Sequence, residues 1–577
     1  MHKVVMACLV ASSATAVGAA QEGATSWQVK AWQAAADFPE PSDFPEAGDE
    51  NVNARPNTAI VITGGGSRSY LASAGYLAAL EEMGLMSKVR YITGISGGAW
   101  FTMCYTFSKE NVSDATLLGP ILNPENFTRE ELQVMDPRCM RRVTNGSFVP
   151  AMLQDMKENH VGMAEAWVNR VQSVYMEPLG IERHMPIAWS QEQVDDIRAR
   201  NPSLQDRAFA LPASSSRPFP IVGSTLVGPG AGAPYTVGED SNRNLSMLEM
   251  SPLYFGAMNT RRIDYHYKHG LTHTRTVGGA VEPYALTRTA PGASTGLSAA
   301  QTSGTLSVPA SAATETVDIA HIGAASSFAP GGFMDTLPLN IPENTSLKFN
   351  YWSPADANPR TEETFFADGG CYENLLVTSM LQRRVEKLIL FYNVHTTLQP
   401  AGKWNVYTDS PSKTQVARDL AAFFGVLPED YDEWQIRGFD LSHNQVWSTD
   451  DWPVVITALQ ESQAKGNGVI ATFNLTTVEN KFWGIPSGIV TQVTFVYLSR
   501  LLAWEKQLPA DMQELFVPAD PQDAADPSIT VKSGPFLQFP NYPTISAGEN
   551  YERGNALASL TGWTIRNNAE LFKSIFA

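Results

Sequence analysis

Hydrophobic and polar positions are spaced along the chain in patterns that predict an α/β protein. Residues 58–63 form a short run rich in β-branched side chains, which is typical of a buried strand. Residues 71–83 space their apolar side chains with the period of a helix and are followed by Gly84, a residue suited to a helix C-terminus. Residues 387–394 predict another strand, and the apolar stretch 490–504 predicts a helix.

Three consecutive glycines, Gly64, Gly65 and Gly66, lie at the predicted junction between the first strand and the first helix. Backbone N–H groups exposed at such a junction can hold the negative charge of a tetrahedral intermediate in acyl transfer. The competing interpretation is a phosphate-binding loop. It fits less well, because no lysine follows the glycines and the G-x-G-x-x-G spacing fails at Ser69. The glycines therefore predict an oxyanion hole.

Ser96 lies in a G-x-S-x-G sequence, Gly94-Ile95-Ser96-Gly97-Gly98. Residues 89–93 before it look extended, and residues 99–105 after it form a plausible helix. This is the strand–turn–helix context that a nucleophile elbow requires. Glycines suit such a turn because a Cβ atom would obstruct its close approaches. The pattern predicts that the Ser96 hydroxyl is presented on a tight turn.

Asp368 ends an apolar stretch, residues 364–367, and precedes two glycines that would let its carboxylate turn into a cavity. A carboxylate there could act as a general base. On local sequence alone, an aspartate that stabilises its own Asp-Gly turn is the more common interpretation. The presence of Ser96 elsewhere in the chain favours the base.

The three motifs, in this chain order, resemble those of the patatin-like phospholipase superfamily, nearest to its cytosolic phospholipase A and lysophospholipase B branch. The resemblance implies an α/β fold, a patatin-like three-layer sandwich with a central, mostly parallel sheet flanked by helices and with long insertions. It also implies that Ser96 is the nucleophile and Asp368 the base of a Ser-Asp dyad. Gly65, Gly66 and Gly97 would offer the oxyanion N–H groups.

Further positions extend the resemblance. Arg68 matches the family's basic residue, which would help with the substrate's phosphate or the intermediate's charge, as a bidentate donor can. The alternative role for Arg68 is an ion pair that braces the loop. Residues 324–330 resemble a small-residue segment that packs beside the active site. Asn374 matches the family's D-G-G-x-x-x-N-x-P region only in part, since the proline is absent, and no catalytic role is assigned to it.

Histidines are the other candidate bases. His395 follows the strand predicted at 387–394, and the order Ser96, Asp368, His395 is that of an α/β-hydrolase triad. The glycine loop resembles the dyad family and not the H-G-G-G lipase pattern, so the dyad is favoured. His266, His269 and His273 match no standard zinc motif, and a solvated or substrate-facing segment is the expected interpretation.

The amino terminus predicts export. Residues 1–20 combine a weakly basic start, an apolar stretch and small residues at the end, which is typical of a secretory signal peptide, and no other run of ~18 apolar residues predicts a membrane span. Removal of the signal would leave three cysteines, which allow at most one disulfide. Six sequons support secretion and are possible N-glycosylation sites: Asn111, Asn126, Asn145, Asn244, Asn344 and Asn474.

The catalytic motifs span residues 60–368, so we expect one elaborated catalytic domain at 56–577 after an N-terminal extension at 21–55. Insertions are expected at about 108–218 and 278–316, and a C-terminal elaboration at about 400–577. The segment 278–316 is dense in Ala, Ser, Thr and Gly and is expected to be flexible or O-glycosylated. It could be a plain surface loop or a lid over the acyl pocket.

The formal net charge of −18 argues against nucleic acid as a partner and against simple attraction to anionic membranes. Phospholipid or lysophospholipid substrates, met by peripheral contact with a membrane or micelle, fit better. Residues 21–55 are too few for the calcium-binding C2 module of some cytosolic phospholipases, and no EF-hand pattern occurs, so we expect calcium-independent catalysis without a cofactor. The sequence predicts a secreted serine lipid acyl hydrolase. The alternatives are a lipid transacylase and a catalytically weak, secreted lipid-binding or interaction protein.

Overall fold

The computed structural model describes residues 26–109, 111–142, 148–229, 245–266, 272–288, 304–310, 315–328, 347–356, 361–429 and 441–577. Outside these ranges lie the signal peptide predicted at 1–20, the sequon residues Asn145, Asn244 and Asn344, and His269.

A single mixed sheet forms the centre of the described structure. Its strands are β1 (Ser26–Trp32), β2 (Thr58–Ile62), β3 (Tyr91–Gly94), β4 (Phe219–Pro229), β5 (Ser246–Met250), β6 (Phe255–His266), β7 (Thr272–Val281), β8 (Gly304–Pro309), β9 (Leu347–Tyr351), β10 (Glu362–Asp368), β11 (Lys387–Tyr392), β12 (Val469–Thr476) and β13 (Val490–Tyr497). The strand order is β12-β13-β11-β2-β3-β4-β5-β6-β7-β1-β8, and β10 joins β4 and β9. The neighbours β13, β11, β2, β3 and β4 are parallel, whereas the other strand pairs are antiparallel.

Helices cover both faces of the parallel strands. The described helices are α1 (Glu50–Asn53), α2 (Gly66–Glu82), α3 (Gly97–Phe107), α4 (Asp114–Leu118), α5 (Arg129–Gln133), α6 (Phe148–Glu158), α7 (Met163–Val171), α8 (Gln191–Arg200), α9 (Ile319–Ser327), α10 (Val377–Gln382), α11 (Arg418–Ala422), α12 (Asp451–Lys465), α13 (Leu502–Glu505), α14 (Ala510–Phe516), α15 (Pro521–Ala524), α16 (Tyr551–Asn567) and α17 (Ala569–Ile575).

Alternate residues of the central strands enter two different cores. Ile60 and Ile62 of β2 pack in the core that includes α2, α3 and α16, while Ala59 and Val61 pack in the core that includes α10 and α12. All four side chains are fully buried, as expected for parallel strands covered on both faces. The prediction of a patatin-like three-layer α/β sandwich with a central, mostly parallel sheet flanked by helices is confirmed: the five central strands are parallel, and antiparallel strands extend the sheet on both sides.

Helix α2, which begins at the glycine loop, is held by close packing against α16. A Cβ atom on Gly75 would lie only 2.0 Å from the carbonyl oxygen of Ala558, so glycine is required for the two helices to approach. Thr561 strengthens this contact, because its hydroxyl donates a hydrogen bond of 2.8 Å to the carbonyl of Ala72. The packing fixes the helix that carries the predicted oxyanion loop.

The helix predicted at 490–504 is wrong over most of its length. Val490–Tyr497 is strand β13, which pairs in parallel with β11 and antiparallel with β12, and the helix α13 begins only at Leu502. A short apolar run fits a buried strand as well as a buried helix, and the β-branched residues of β13 favour the strand.

Two segments that the sequence assigned to an extension and a loop contribute strands. Residues 21–55 supply β1, which lies between β7 and β8, and residues 278–316 contain the end of β7 and all of β8. The prediction of a flexible loop at 278–316 is therefore wrong for the residues in β7 and β8. Residues 289–303 and 311–314 lie outside the described residues. The insertion at 108–218 is helical, with α4 to α8.

The exposure of the sequon residues and the state of the cysteines are relevant to the prediction that the protein is secreted. The described sequon residues Asn111, Asn126 and Asn474 are all exposed. Cys104, Cys139 and Cys371 are buried and free, so the described chain contains no disulfide. None of the described helices is both long and apolar enough to span a bilayer.

Candidate active site

Ser96 lies on a sharp turn between β3, which ends at Gly94, and α3, which begins at Gly97. Its φ of 53° and ψ of −119° are unusual for a residue with a side chain, as expected for a strained nucleophile elbow. The turn is packed tightly on β2, because a Cβ atom on Gly98 would lie 2.7 Å from the carbonyl oxygen of Ile62. The structure has the strand–turn–helix geometry that the motif predicted.

Asp368 is brought beside this turn by the sheet. It is the last residue of β10 and pairs with Ser224 of β4, which is the parallel neighbour of β3. Its N–H donates to the carbonyl of Phe328 at 3.2 Å, and its own carbonyl accepts from the hydroxyl of Thr225 at 2.9 Å. The backbone of Asp368 is thus held on both sides.

The carboxylate of Asp368 has an environment suited to a base. Burial raises its pKa to about 6, while hydrogen bonds from the Gly370 N–H and the Ser96 hydroxyl act in the opposite direction. The Gly370 contact, 2.8 Å, is the turn-stabilising bond that the local sequence favours. The hydrogen bond from Ser96 is additional, and it joins the candidate base to the candidate nucleophile. A carboxylate of this pKa is largely ionised at neutral pH and close enough to it for proton transfer.

The N–H groups of Gly65, Gly66 and Gly97 donate to no protein acceptor in the part of the chain that the structure describes. Gly65 has a φ of 137° and Gly66 a φ of 56°, conformations that favour glycine. Gly97 lies directly against Gly66, since a Cβ atom on Gly97 would be 2.5 Å from the Gly66 nitrogen. Three unpaired donors therefore collect beside the nucleophile.

The N–H groups of the neighbouring residues already donate to backbone carbonyls, so they are not candidate donors for the oxyanion hole. The N–H of Gly64 donates to the carbonyl of Asn374 at 3.1 Å, and that of Gly98 donates to Ile95 at 2.8 Å. The three unpaired groups are the same three that the resemblance implied. They can stabilise the oxyanion of an ester carbonyl attacked by Ser96.

Arg68 is buried in the first turn of α2, with only 4% of its surface exposed. It donates to the carbonyls of Asn393, at 2.8 Å, and Tyr542. No described carboxylate pairs with it, so the alternative of a loop-bracing ion pair is wrong. Burial lowers its pKa to about 10, which leaves the guanidinium charged at neutral pH. The guanidinium also lies against the loop, because a Cβ atom on Gly65 would be 2.6 Å from its Nη2.

His395 does not join the pair. It is exposed, and its Nδ1 lies 2.6 Å from the carbonyl oxygen of Asn541, to which it donates as an N–H. The described structure shows no hydrogen bond from His395 to Ser96 or Asp368. The geometry thus favours the dyad. Of the histidine trio, His273 lies 3.7 Å from Glu362, and the described residues contain no cluster that could hold a metal ion.

Sequence reasoning missed several residues that hold the site. Ser326 binds the N–H of Ser96 through its carbonyl and its hydroxyl. Asn374 accepts from Gly64 through its carbonyl and donates 3.0 Å to the carboxylate of Asp419 through its side chain. The partial D-G-G-x-x-x-N match and the small-residue segment at 324–330 were the available signals, but neither specifies a hydrogen bond.

Comparisons with known proteins find similarity to phospholipases. Residues 58–116 match the model of the lysophospholipase catalytic domain. Human cytosolic phospholipase A2 delta is 37% identical over 83 residues, which are 14% of this chain and 10% of that protein. Human cytosolic phospholipase A2 beta is 36% identical over 96 residues, 16% of this chain and 12% of that protein. The matches thus span only about a tenth of the relatives' length.

A solved structure of human GIVD cytosolic phospholipase A2 is similar at a TM-score of 0.44 and 12% identity, over 91% of this chain and 62% of that one. The family match covers β2, the glycine loop, α2, β3 and the elbow, which contain Ser96 and the three unpaired N–H groups. Over residues 58–116, these findings support the resemblance to the cytosolic phospholipase A2 and lysophospholipase branch of the patatin-like superfamily that the three motifs predicted.

Proposed function

We propose that this protein is a serine lipid acyl hydrolase that cleaves fatty-acyl esters of phospholipids or lysophospholipids through a Ser-Asp dyad. The observation that carries the proposal is the hydrogen bond of the Ser96 hydroxyl with the largely buried carboxylate of Asp368, beside three unpaired backbone N–H groups. A nucleophile, a base and an oxyanion hole are the three parts that acyl transfer needs.

In the proposed reaction, Asp368 takes the proton of the Ser96 hydroxyl as its oxygen attacks the ester carbonyl. The C=O π electrons move to the carbonyl oxygen, which the N–H groups of Gly65, Gly66 and Gly97 stabilise. Collapse breaks the bond to the alkoxide, which receives the proton from Asp368 and leaves a Ser96 ester. Water, deprotonated by Asp368, then attacks that ester. The second tetrahedral intermediate breaks the bond to the Ser96 oxygen, which takes the proton back from Asp368 as the fatty acid is released. Each good oxyanion donor contributes on the order of 3 kcal/mol to the barrier reduction.

The substrate class rests on the family and on charge. The curated relatives are phospholipases A2 by name, and the matched family is that of lysophospholipases. Arg68 supports an anionic group at the site, because its buried charge has no carboxylate partner in the described chain and lies against Gly65. A phosphate or an oxyanion next to the glycine loop would supply the missing negative charge.

We also propose that the protein is secreted and glycosylated. The pattern of residues 1–20 and the exposure of Asn111, Asn126 and Asn474 support this, although the matched relatives are named as cytosolic enzymes. Expression of the full chain in eukaryotic cells tests it. A medium fraction whose mass falls after peptide-N-glycosidase treatment is expected, whereas an unglycosylated protein retained in the cytosol would contradict secretion.

The test of the proposed activity is product analysis by mass spectrometry. Purified protein is incubated with phosphatidylcholine vesicles and with lysophosphatidylcholine micelles, and the lipids are separated over time. Free fatty acid with the matching lyso- or glycerophospho product is the expected result. Acyl groups moved to a second lipid would identify a transacylase, and unchanged lipids at high enzyme concentration would overturn the proposed hydrolysis.

A further inference from the structure

The end of helix α9 lies between the two residues of the dyad. The N–H of Ser96 points at Ser326, 2.9 Å from its hydroxyl oxygen and 3.1 Å from its carbonyl oxygen. Two residues further on, the carbonyl of Phe328 accepts the N–H of Asp368 at 3.2 Å. A single short segment thus contacts the backbones of both the nucleophile and the base.

The Ser326 hydroxyl is itself fixed. It is fully buried and donates a hydrogen bond of 2.6 Å to the carbonyl of Gly223 in β4. This donation directs a lone pair of the hydroxyl oxygen toward the N–H of Ser96, because a hydroxyl has one donor and two acceptor positions. Ser326 therefore connects the strained elbow to the central sheet through a fully buried side chain.

Ser224, the residue after Gly223 in β4, makes corresponding contacts next to Asp368. The Ser224 hydroxyl lies 2.8 Å from the carbonyl of Ala325 and 3.1 Å from that of Ala367, so it links α9 to the residue before Asp368. Together, Ser326 and Ser224 join β4, α9 and β10 around the dyad. The spacing of Ser96 and Asp368 is thus defined by side chains outside the three sequence motifs.

We propose that Ser326 is a positioning residue for the nucleophile, which holds the Ser96 turn at a positive φ and in register with Asp368 and the oxyanion donors. The inference rests on the proposed function. It also explains the selection of donors, since Ser326 occupies the N–H of Ser96 and leaves that of Gly97 unpaired for the substrate. Misplacement of a nucleophile by ~1 Å can cost ~100-fold in rate, so a single hydrogen bond at this turn has a measurable effect.

The test compares Ser326→Ala and Ser326→Cys with the wild-type chain. The alanine removes both hydrogen bonds of the hydroxyl, whereas the cysteine keeps a weaker donor and acceptor of similar size. Ser559→Ala is the matched control. Ser559 lies in α16, outside the site, and is also a fully buried serine whose hydroxyl oxygen accepts a hydrogen bond of 3.3 Å from the N–H of Leu122. Thermal unfolding of each variant shows first that it is folded.

Two readouts are measured, the hydrolysis of lysophosphatidylcholine and the rate of covalent labelling of Ser96 by an alkyl fluorophosphonate. We expect a fall of about tenfold or more in kcat and in the labelling rate for Ser326→Ala, an intermediate value for Ser326→Cys, and an unchanged KM. Ser559→Ala should keep wild-type rates even if its unfolding temperature falls. Wild-type rates in a folded Ser326→Ala would overturn the inference.

The two proposals fail in different ways. A wild-type protein that labels with the fluorophosphonate but hydrolyses neither phospholipid would contradict the proposed substrates, and the labelling rates of the Ser326 variants would still support or overturn the positioning role. A wild-type protein that neither labels nor hydrolyses would overturn both.

Discussion

At the scale of single residues, the surroundings of Asp368 change its pKa in a way that suits the proposed role of a general base. Burial raises its pKa to about 6, and in the proposed mechanism the ionised form accepts the proton of Ser96. We expect kcat/KM to rise with pH up to about 6 with a slope near one and then to level off, since this parameter reports groups of the free enzyme. A pH–rate profile with soluble lysophospholipid measures it. A profile flat down to pH 4.5 would assign the base elsewhere.

The same burial has a cost in stability. Because the folded pKa is raised above the ordinary value of about 3.9, the ionised carboxylate is disfavoured in the folded protein. The penalty is absent below about pH 4, grows between pH 4 and 6, and is complete above pH 6. The shift corresponds to about 3 kcal/mol at most, and the partial solvent exposure of Asp368 reduces this.

We therefore expect Asp368→Asn to abolish activity and yet to stabilise the fold by about 1–3 kcal/mol at pH 8. The amide can still accept the N–H of Gly370, so the turn is retained. Urea unfolding of both proteins at pH 8 and pH 4 measures the difference, which should nearly vanish at pH 4. An equally large difference at both pH values would mean that it does not come from ionisation.

At the scale of elements, short motifs predicted their own local structure well. The strand–glycine–helix junction at 58–83 and the elbow at Ser96 appear as β2, α2, β3 and α3, because backbone geometry there depends on nearest neighbours. Contacts between distant segments were not predictable. Ser326 and Ser96 are 230 residues apart in sequence, and no local pattern encodes their hydrogen bond.

Errors at this scale have a common physical origin. Strand β13, which was predicted as part of a helix, is a mostly buried apolar run that pairs with β11 on one side and β12 on the other. The spacing of its apolar residues does not distinguish such a strand from a buried helix. The composition of the Ala- and Ser-rich segment at 278–316 suggests a loop. The segment nevertheless contains β8, which pairs antiparallel with β1. Strand pairing supplied by a distant segment overrides weak local preference.

The contact of α2 with α16 gives a prediction at the element scale. A Cβ atom on Gly75 would lie 2.0 Å from the Ala558 carbonyl and 2.2 Å from the Thr561 hydroxyl, so Gly75→Ala must push the helices apart. We expect a loss of about 1–3 kcal/mol in the free energy of unfolding, measured by urea denaturation. Gly48→Ala is the matched control and should be nearly neutral, because its Cβ would meet no atom within 4 Å. Equal stabilities for both variants would contradict the packing.

At the scale of the whole molecule, the formal net charge of −18 bears on the choice of lipid surface. Repulsion from an anionic surface is screened by salt, with a Debye length of ~10 Å at 0.1 M. We expect faster hydrolysis on phosphatidylcholine vesicles than on vesicles that also contain phosphatidylglycerol, and the difference should narrow as salt is raised. Initial rates at low and high sodium chloride measure it. Faster turnover on the anionic vesicles at low salt would show instead that a local basic surface governs docking.

The central claim for the molecule is that Ser96 and Asp368 form the whole proton-transfer machinery. The most direct test is fatty-acid release from lysophosphatidylcholine by the wild-type chain and by Ser96→Ala, Asp368→Asn and His395→Ala, each with and without a chelator. The account predicts losses of at least ~1,000-fold in the first two variants. His395→Ala should stay within a few-fold of wild type, and the chelator should have no effect. Full activity of Asp368→Asn, or its loss in a folded His395→Ala, would contradict the dyad.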